Sequence, residues 1–235
     1  MAAGKGTRMK SDLPKVLLPV NGRPMLDYVL ETARSLNPAR IVVVVGHMRE
    51  KVIESFAAPD VTFAMQEPQL GTAHAVAQSK EALSGFFGEV VTLSGDVPLL
   101  SEETLRSLIA ARRKDNAAVA MLTCVLDNPG SYGRIIRENG EIVANVEAKD
   151  ASPEQLKIRE INSGVYVFES GFLFRSLGLV GSDNAQGEYY LTDLINMASK
   201  EGLPVAGVVA DDITEALGAN TVDDLKHLSD LAAAR

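Results

Sequence analysis

The sequence predicts an α/β fold, a doubly wound and mostly parallel sheet with an antiparallel annex. Three observations carry this. Strand-like and helix-like runs alternate through the first 116 residues. The strand runs are continuously apolar and β-branched, as in strands buried on both faces. From about residue 117 the rhythm shifts to consecutive strands, with an Asn139-Gly140 pair between two of them.

The elements follow in order. PMLDYVLETARSL (24–36) has helical spacing, and RIVVVVGH (40–47) is a buried strand. MREKVIESF (48–56) reads as helix, DVTFAMQ (60–66) as strand, GTAHAVAQSKEAL (71–83) as helix and EVVTLSGD (89–96) as strand. SEETLRSLIAARRK (101–114) is a helix capped by Ser101, with two acids in its first turn to favour the helix dipole. AAVAMLTCVL (117–126), GRIIRENGEIVANVE (133–147) and INSGVYVFE (161–169) read as strands, the second folded at Asn139-Gly140. Residues 149–160 read as an exposed loop with a short helix. TDLINMASKEG (192–202) and TVDDLKHLSDLAAAR (221–235) close the chain as helices, the latter capped by Thr221. One domain is expected over 1–235: a nucleotide-binding half (1–116), a sugar-binding half (117–220) and a terminal helix.

The chain has 235 residues, 46% hydrophobic and 23% charged, which is ordinary globular composition. One cysteine, Cys124, leaves no disulfide within the chain and suits a reducing cytoplasm; it reads as a small buried hydrophobe. No apolar run reaches the roughly 18 residues of a membrane span. Net charge is −8, but residues 1–23 hold five basic side chains against Asp12 alone. That leaves 18 basic and 30 acidic groups elsewhere. A small basic island on an acidic body suits a compact polyanion such as a nucleotide, not an extended nucleic acid.

The island contains MAAGKGTRMKSDLPKVLLPV. As a Walker A loop counted from Gly4 it carries Met9 in place of the second glycine, and Pro14 interrupts the helix that should follow. A G-x-G-x-x-G fingerprint fails at the same methionine. The pattern G-x-G-T-R-x(n)-P-K-x-L fits at every position: Gly4, Gly6, Thr7, Arg8, Pro14, Lys15 and Leu17. Gly46-His47, Gln66 and Gly95-Asp96 each end a strand run. Ligands of open parallel sheets gather at such carboxyl ends.

That segment resembles the signature of the sugar-nucleotide pyrophosphorylases. QEPQLGTAHA (66–75), SGDVPL (94–99), GSYGRIIREN (130–139), VEAKDA (146–151), EINSG (160–164) and NAQGEYYLTD (184–193) follow in order. The set resembles the uridylyltransferase half of the bacterial bifunctional N-acetylglucosamine-1-phosphate uridylyltransferases, over nearly the whole chain. The resemblance implies a Rossmann-like nucleotide-diphospho-sugar transferase fold. It implies transfer of UMP from UTP to N-acetylglucosamine 1-phosphate, with Mg²⁺, for cell-wall precursor synthesis in the cytoplasm. Glucose 1-phosphate as acceptor, with uridylyl or thymidylyl transfer, and a non-catalytic UDP-sugar sensor remain the alternatives.

Residue by residue, the resemblance places phosphates on the Gly4, Gly6, Thr7 loop, with Arg8 on the β and γ phosphates and Lys15 on the reacting ones. Arginine supplies a planar fork and lysine a compact charge. Ala2, Ala3, Gly4, Gln66, Gly71 and Thr72 would hold the base, and Gly95 lines the site. Asp96, a carboxylate ending an apolar strand, would ligate Mg²⁺ together with Asn220 of EALGANT, where Leu217 replaces an acid common in the family. Gly133, Glu147 and Asn162 would hold the sugar, with Tyr190 over the acetyl group. His74 reads as packing, His47 and His227 have no assigned role, and Lys5, Lys10 and Arg23 read as a solvated basic face.

No hexapeptide repeats of a left-handed β-helix are recognisable, so uridylyl transfer without acetyl transfer is expected, from a monomer or weak dimer. In the resembled family a short Val/Ile run precedes the Ala-Ala-Gly as a strand of the sheet, and Met1 stands at its last position. A natural start upstream is therefore expected. Without that run, the neighbouring strands should face each other across a groove in the core.

Overall fold

The computed structural model describes residues 1–6, 9 and 11–234. Thr7, Arg8, Lys10 and Arg235 lie outside the described residues.

A small antiparallel hairpin, β1 (Pro19–Val20) and β2 (Arg23–Pro24), leads into α1 (Met25–Ser35). Its turn is Asn21-Gly22, with φ of 48° and 80°, an Asn-Gly hairpin signal that the sequence reading passed over. Then β3 (Ile41–Val45), α2 (Arg49–Phe56), β4 (Val61–Met65), α3 (Thr72–Ala77) and β5 (Glu89–Thr92) alternate as expected. Helix α3 stops at Ala77, short of the expected 83. The buried Ser79 hydroxyl donates to Val76 O at 2.6 Å and competes with the helical ladder there. Helix α4 (Glu102–Lys114) is capped as expected, Ser101 Oγ accepting from Thr104 N at 3.1 Å.

β6 (Val119–Val125), β7 (Arg134–Glu138), β8 (Glu141–Val146) and β9 (Glu160–Glu169) follow. Asn139 and Gly140 turn between β7 and β8 with positive φ at both positions, as the Asn-Gly pair predicts. Helix α5 (Ser170–Ser176) and strand β10 (Val205–Val209) were not anticipated; α6 (Asp193–Lys200) and α7 (Val222–Ala234) were. The missed signal for β10 was the short apolar run VAGVV directly after Pro204.

The α/β class holds, but the antiparallel share sits differently. β6 and β9 are not an annex; they form the middle of the main sheet, in the order β10-β6-β9-β7-β8. β6 pairs along one edge of β9, antiparallel, and β10 lies parallel outside β6. The other edge of β9 takes β5 at its carboxyl half and β7 at Ile161. The β7–β8 hairpin completes the order, and Ile142 of β8 packs close to Gly207 of β10. Alternate side chains of β6 explain its unbroken apolar run. Val119 and Met121 pack with Phe168, Phe172, Leu194 and Ile195 on one face. Ala120, Leu122 and Cys124 pack with Leu105, Leu108 and Val167 on the other. Cys124 is fully buried, and burial pushes its thiol up to about 11, in keeping with an inert hydrophobe.

β3 and β4 form a separate parallel pair. Among the described residues, Met1–Ala3 stand between β3 and β5, with His47 N donating to Ala3 O at 3.3 Å. Ala2 N donates to Val44 O at 2.7 Å, Gly95 N to Met1 O at 2.8 Å, and the Met1 amino group to Leu93 O at 2.7 Å. Ala2 makes a single parallel bridge with Val45. Beyond Met1 the two strands stand apart around a cavity of about 490 Å³, walled by Leu26, Leu30, Val42, Val44, Val91 and Leu93. This is the groove the sequence led us to expect. Among the described residues no helix is long and apolar enough to cross a membrane.

Candidate functional site

The chemistry-bearing residues collect at the carboxyl ends of β3, β4 and β5. The opening loop is anchored from below. Met9, which disqualified the Walker reading, is 5% exposed and packs with Leu18, Met25, Leu99 and Leu228. Leu217 joins the same cluster, which accounts for an apolar residue there. Gly6 has φ of 57°, and a Cβ on it would stand 2.8 Å from Lys15 Cβ. A side chain at position 6 would therefore collide with the lysine stem. Pro14, with φ of −53°, sets the entry to a single 3₁₀ turn, Lys15–Leu17.

Lys15 Nζ forms an ion pair with Asp96 Oδ2 and donates to Asn220 Oδ1 at 3.1 Å. Residues 15, 96 and 220 are thus brought to one point. Asn220 is fixed by the start of α7. Asp224 Oδ2 accepts from Asn220 N and Thr221 N, each at 2.8 Å, while Thr221 Oγ1 accepts from Asp224 N at 3.2 Å. That reciprocal cap bears out Thr221 and adds Asp224, legible in sequence as an acid three residues after a threonine. Ala219 N donates to Asp96 O at 3.1 Å, so the 217–220 loop is also tied to the metal-site candidate itself. The donor set fits Mg²⁺: a carboxylate oxygen and an amide oxygen are hard donors, and an ammonium already sits between them as a stand-in cation.

A second group surrounds Gln66, which is 3% exposed. Its Nε2 donates to Gly71 O at 2.9 Å and lies 3.1 Å from His74 Nδ1. Gly71 has φ of 114°, and a Cβ there would lie 2.5 Å from Tyr189 O. Tyr189 N donates to Leu70 O, Ala73 N to Tyr189 O, and Leu191 N to Thr72 Oγ1. One amide at the start of α3 is therefore spent on the protein instead of aimed at a ligand.

The third group is the expected sugar side. Asn162 N donates to Gly133 O at 3.1 Å. Glu147 Oε1 accepts from Asn145 Nδ2 and Thr192 Oγ1, each at 3.1 Å. Burial, opposed by these two bonds, still raises the Glu147 pKa above the usual carboxylate value. Asn145 and Thr192 were missed by sequence; Asn145 lies in β8, two residues before Glu147, which follows the end of that strand. Tyr190 is buried, its hydroxyl held between Asp150 and Gln186. The three groups are physically linked. Thr192 follows the Tyr189–Leu191 segment that holds α3, and a Cβ on Gly164 would stand 3.3 Å from Ser94 Oγ, next to Gly95 and Asp96. Ala2 and Ala3 are buried at the loop root, Gly4 is exposed, and Thr7 and Arg8 lie outside the described residues.

A mixed-sheet α/β frame with a glycine loop, a lysine and a carboxylate-amide pair beyond the strand ends suits a nucleotidyltransferase domain. The chain belongs to the MobA-like NTP transferase family, whose domain matches residues 1–137. It is 51% identical over 222 residues to the bifunctional protein GlmU of Pelobacter propionicus, covering 94% of this chain and 48% of that protein. It is 49% identical over 235 residues to the bifunctional protein GlmU of Syntrophotalea carbinolica, covering 100% and 51%. The chain thus spans about half the length of the curated relatives it matches. The fold is shared with a Bacillus anthracis protein described as a glucose-1-phosphate thymidylyltransferase, in complex with sucrose. That likeness has a TM-score of 0.77 at 20% identity, over 98% of this chain and 92% of the other.

Proposed function

We propose that the chain transfers UMP from UTP to N-acetylglucosamine 1-phosphate, releasing pyrophosphate and forming UDP-N-acetylglucosamine. A phosphate oxygen of the sugar attacks the α-phosphorus, and the bond to the bridging oxygen of pyrophosphate breaks. No covalent protein intermediate is needed, so the protein's work is alignment and charge stabilisation. The observation that carries the reading is the convergence of Lys15, Asp96 and Asn220 beside Gly6.

In this reading the backbone from Ala2 to Gly6, with Thr7 and Arg8, receives the triphosphate, and Lys15 offsets charge on the reacting phosphates. Gln66, Gly71 and Thr72 hold the base, Gly95 lines the floor, and Gly133, Glu147 and Asn162 orient the sugar. Asp96 and Asn220 would hold Mg²⁺, which when bound supplies charge neutralisation on the phosphates. Residues 1–116 would form the nucleotide half and 117–220 the sugar half of one cytoplasmic domain, with no nucleic-acid or membrane partner.

Pyrophosphate release tests this, with UTP, Mg²⁺ and either N-acetylglucosamine or glucose 1-phosphate. We expect turnover with the acetylated sugar and a loss of about 10²-fold or more in Lys15→Ala and in Asp96→Ala. Faster turnover with glucose 1-phosphate would reassign the acceptor. No release with either would leave a sugar-nucleotide sensor.

A further inference from the structure

The Lys15 ammonium stands where the cation is needed. It contacts Asp96 Oδ2 and, at 3.1 Å, Asn220 Oδ1, the same two oxygens assigned above to the metal. A lysine head and a divalent ion cannot share two oxygens, because they would repel one another at contact distance. Both partners of the pair are largely shielded, with side chains 17% and 21% exposed, so the exchange takes place where water screens poorly. The main chain at both positions is tied down, Asn220 N by Asp224 Oδ2 and Asp96 O by Ala219 N, so the two side chains start from a fixed frame while the cation changes. The partner able to leave is the lysine, whose ammonium sits on a four-carbon stem packed beside Gly6.

We propose that Lys15 is an internal placeholder for the metal. Before nucleotide binds, its ammonium fills the seat between Asp96 and Asn220. The incoming divalent ion displaces it, and the released ammonium turns along Gly6 toward the phosphates of the opening loop. Metal binding and delivery of the lysine are then one event. A carboxylate left bare between turnovers is avoided, and metal binding to the empty protein is weakened by the fraction of time the seat is taken. This inference rests on the assignment of Asp96 and Asn220 as metal ligands.

The test measures Mn²⁺ binding to nucleotide-free protein by titration calorimetry, in wild type, Lys15→Met and Asp96→Asn, at 0.05 M and 0.5 M KCl. Removing the placeholder should tighten Mn²⁺ binding by about 10-fold, within the 5–150-fold range of ordinary coupling, and the gain should persist at high salt. An unchanged dissociation constant in Lys15→Met overturns the placeholder while leaving the metal assignment standing. A gain that vanishes at 0.5 M KCl also overturns it, since a distant charge is screened and a displaced ligand is not. Undiminished Mn²⁺ binding in Asp96→Asn would instead remove the metal assignment, and the placeholder with it. A second measurement needs no variant. Amine-reactive labelling of wild type, read by mass spectrometry, should show Lys15 modified several-fold faster with saturating Mg²⁺, while Lys114 stays constant. Lys15 labelling that is unchanged or slower with Mg²⁺ overturns the proposal.

Discussion

The cavity between β3 and β5 makes a quantitative prediction. Val44 O already accepts from Ala2, and Leu93 O from the Met1 amino group. Alternate residues of a strand turn their main-chain groups the same way, so Val42 on one wall and Val91 on the other also face the cavity. A segment such as Val-Val-Ile-Val fused ahead of Met1 would extend that ladder between them. Burying four such side chains contributes about 6–12 kcal/mol. Some four ladder hydrogen bonds add about 4 kcal/mol. Ordering four residues costs about 8 kcal/mol. The net gain is about 2–8 kcal/mol. At about 4 kcal/mol, a chain of this size should melt ~8–16 °C higher in differential scanning fluorimetry. The pH profile gives a second readout. Burial pushes the Met1 amino group down to about 6 from 8.0, against the pull of Asp96. A lowered amine contributes stability that is full above pH 8 and is lost as pH falls toward 6. That loss should disappear when the amine becomes a peptide N–H. An unchanged melting temperature, or an equal rise from a Gly-Ser-Lys-Ser segment of the same length, would refute the reasoning.

Three further outcomes are expected. Gly71→Ala forces a Cβ to within 2.5 Å of Tyr189 O at a positive φ; it should cost about 1–3 kcal/mol by thermal melting and raise the UTP KM at least several-fold. Glu147→Gln should raise the sugar-phosphate KM about 10–100-fold, the worth of a charged hydrogen bond. Because burial raises the Glu147 pKa, ionisation costs stability as pH rises through it, so Glu147→Gln should melt no lower than wild type at pH 8; a lower Tm with unchanged KM would make Glu147 structural. Thr221→Ala removes the reciprocal cap that positions Asn220; a loss of about 1 kcal/mol and severalfold weaker Mn²⁺ binding are expected, and unaltered Mn²⁺ binding would dissociate the cap from the site.

Local order was legible because its causes are local. The buried runs of β3 and β6, the Ser101 and Thr221 caps and the Asn139-Gly140 turn each follow from residue spacing. So did the placing of Gln66 and Gly95-Asp96 at strand ends. Short elements escaped, since β1, β2 and α5 carry too few residues for periodicity to register. The partners of Glu147 escaped in part, because Thr192 lies 45 residues away and only packing brings it near.

By itself, then, the sequence determined the class of fold, the positions of the opening loop and of Asp96 and Asn220 along the chain, and the apolar strands on either side of Met1. Those depend on hydrophobic period, turn chemistry and residue type. Strand pairing is set by contacts between distant segments. Tertiary structure alone therefore put β9 at the centre of the sheet, welded Gly71 to Tyr189, and closed Lys15 onto Asp96 and Asn220 across 205 residues of chain. The physical reason is that two oxygens at fixed positions draw the nearest cation, and which cation is nearest is decided by the fold.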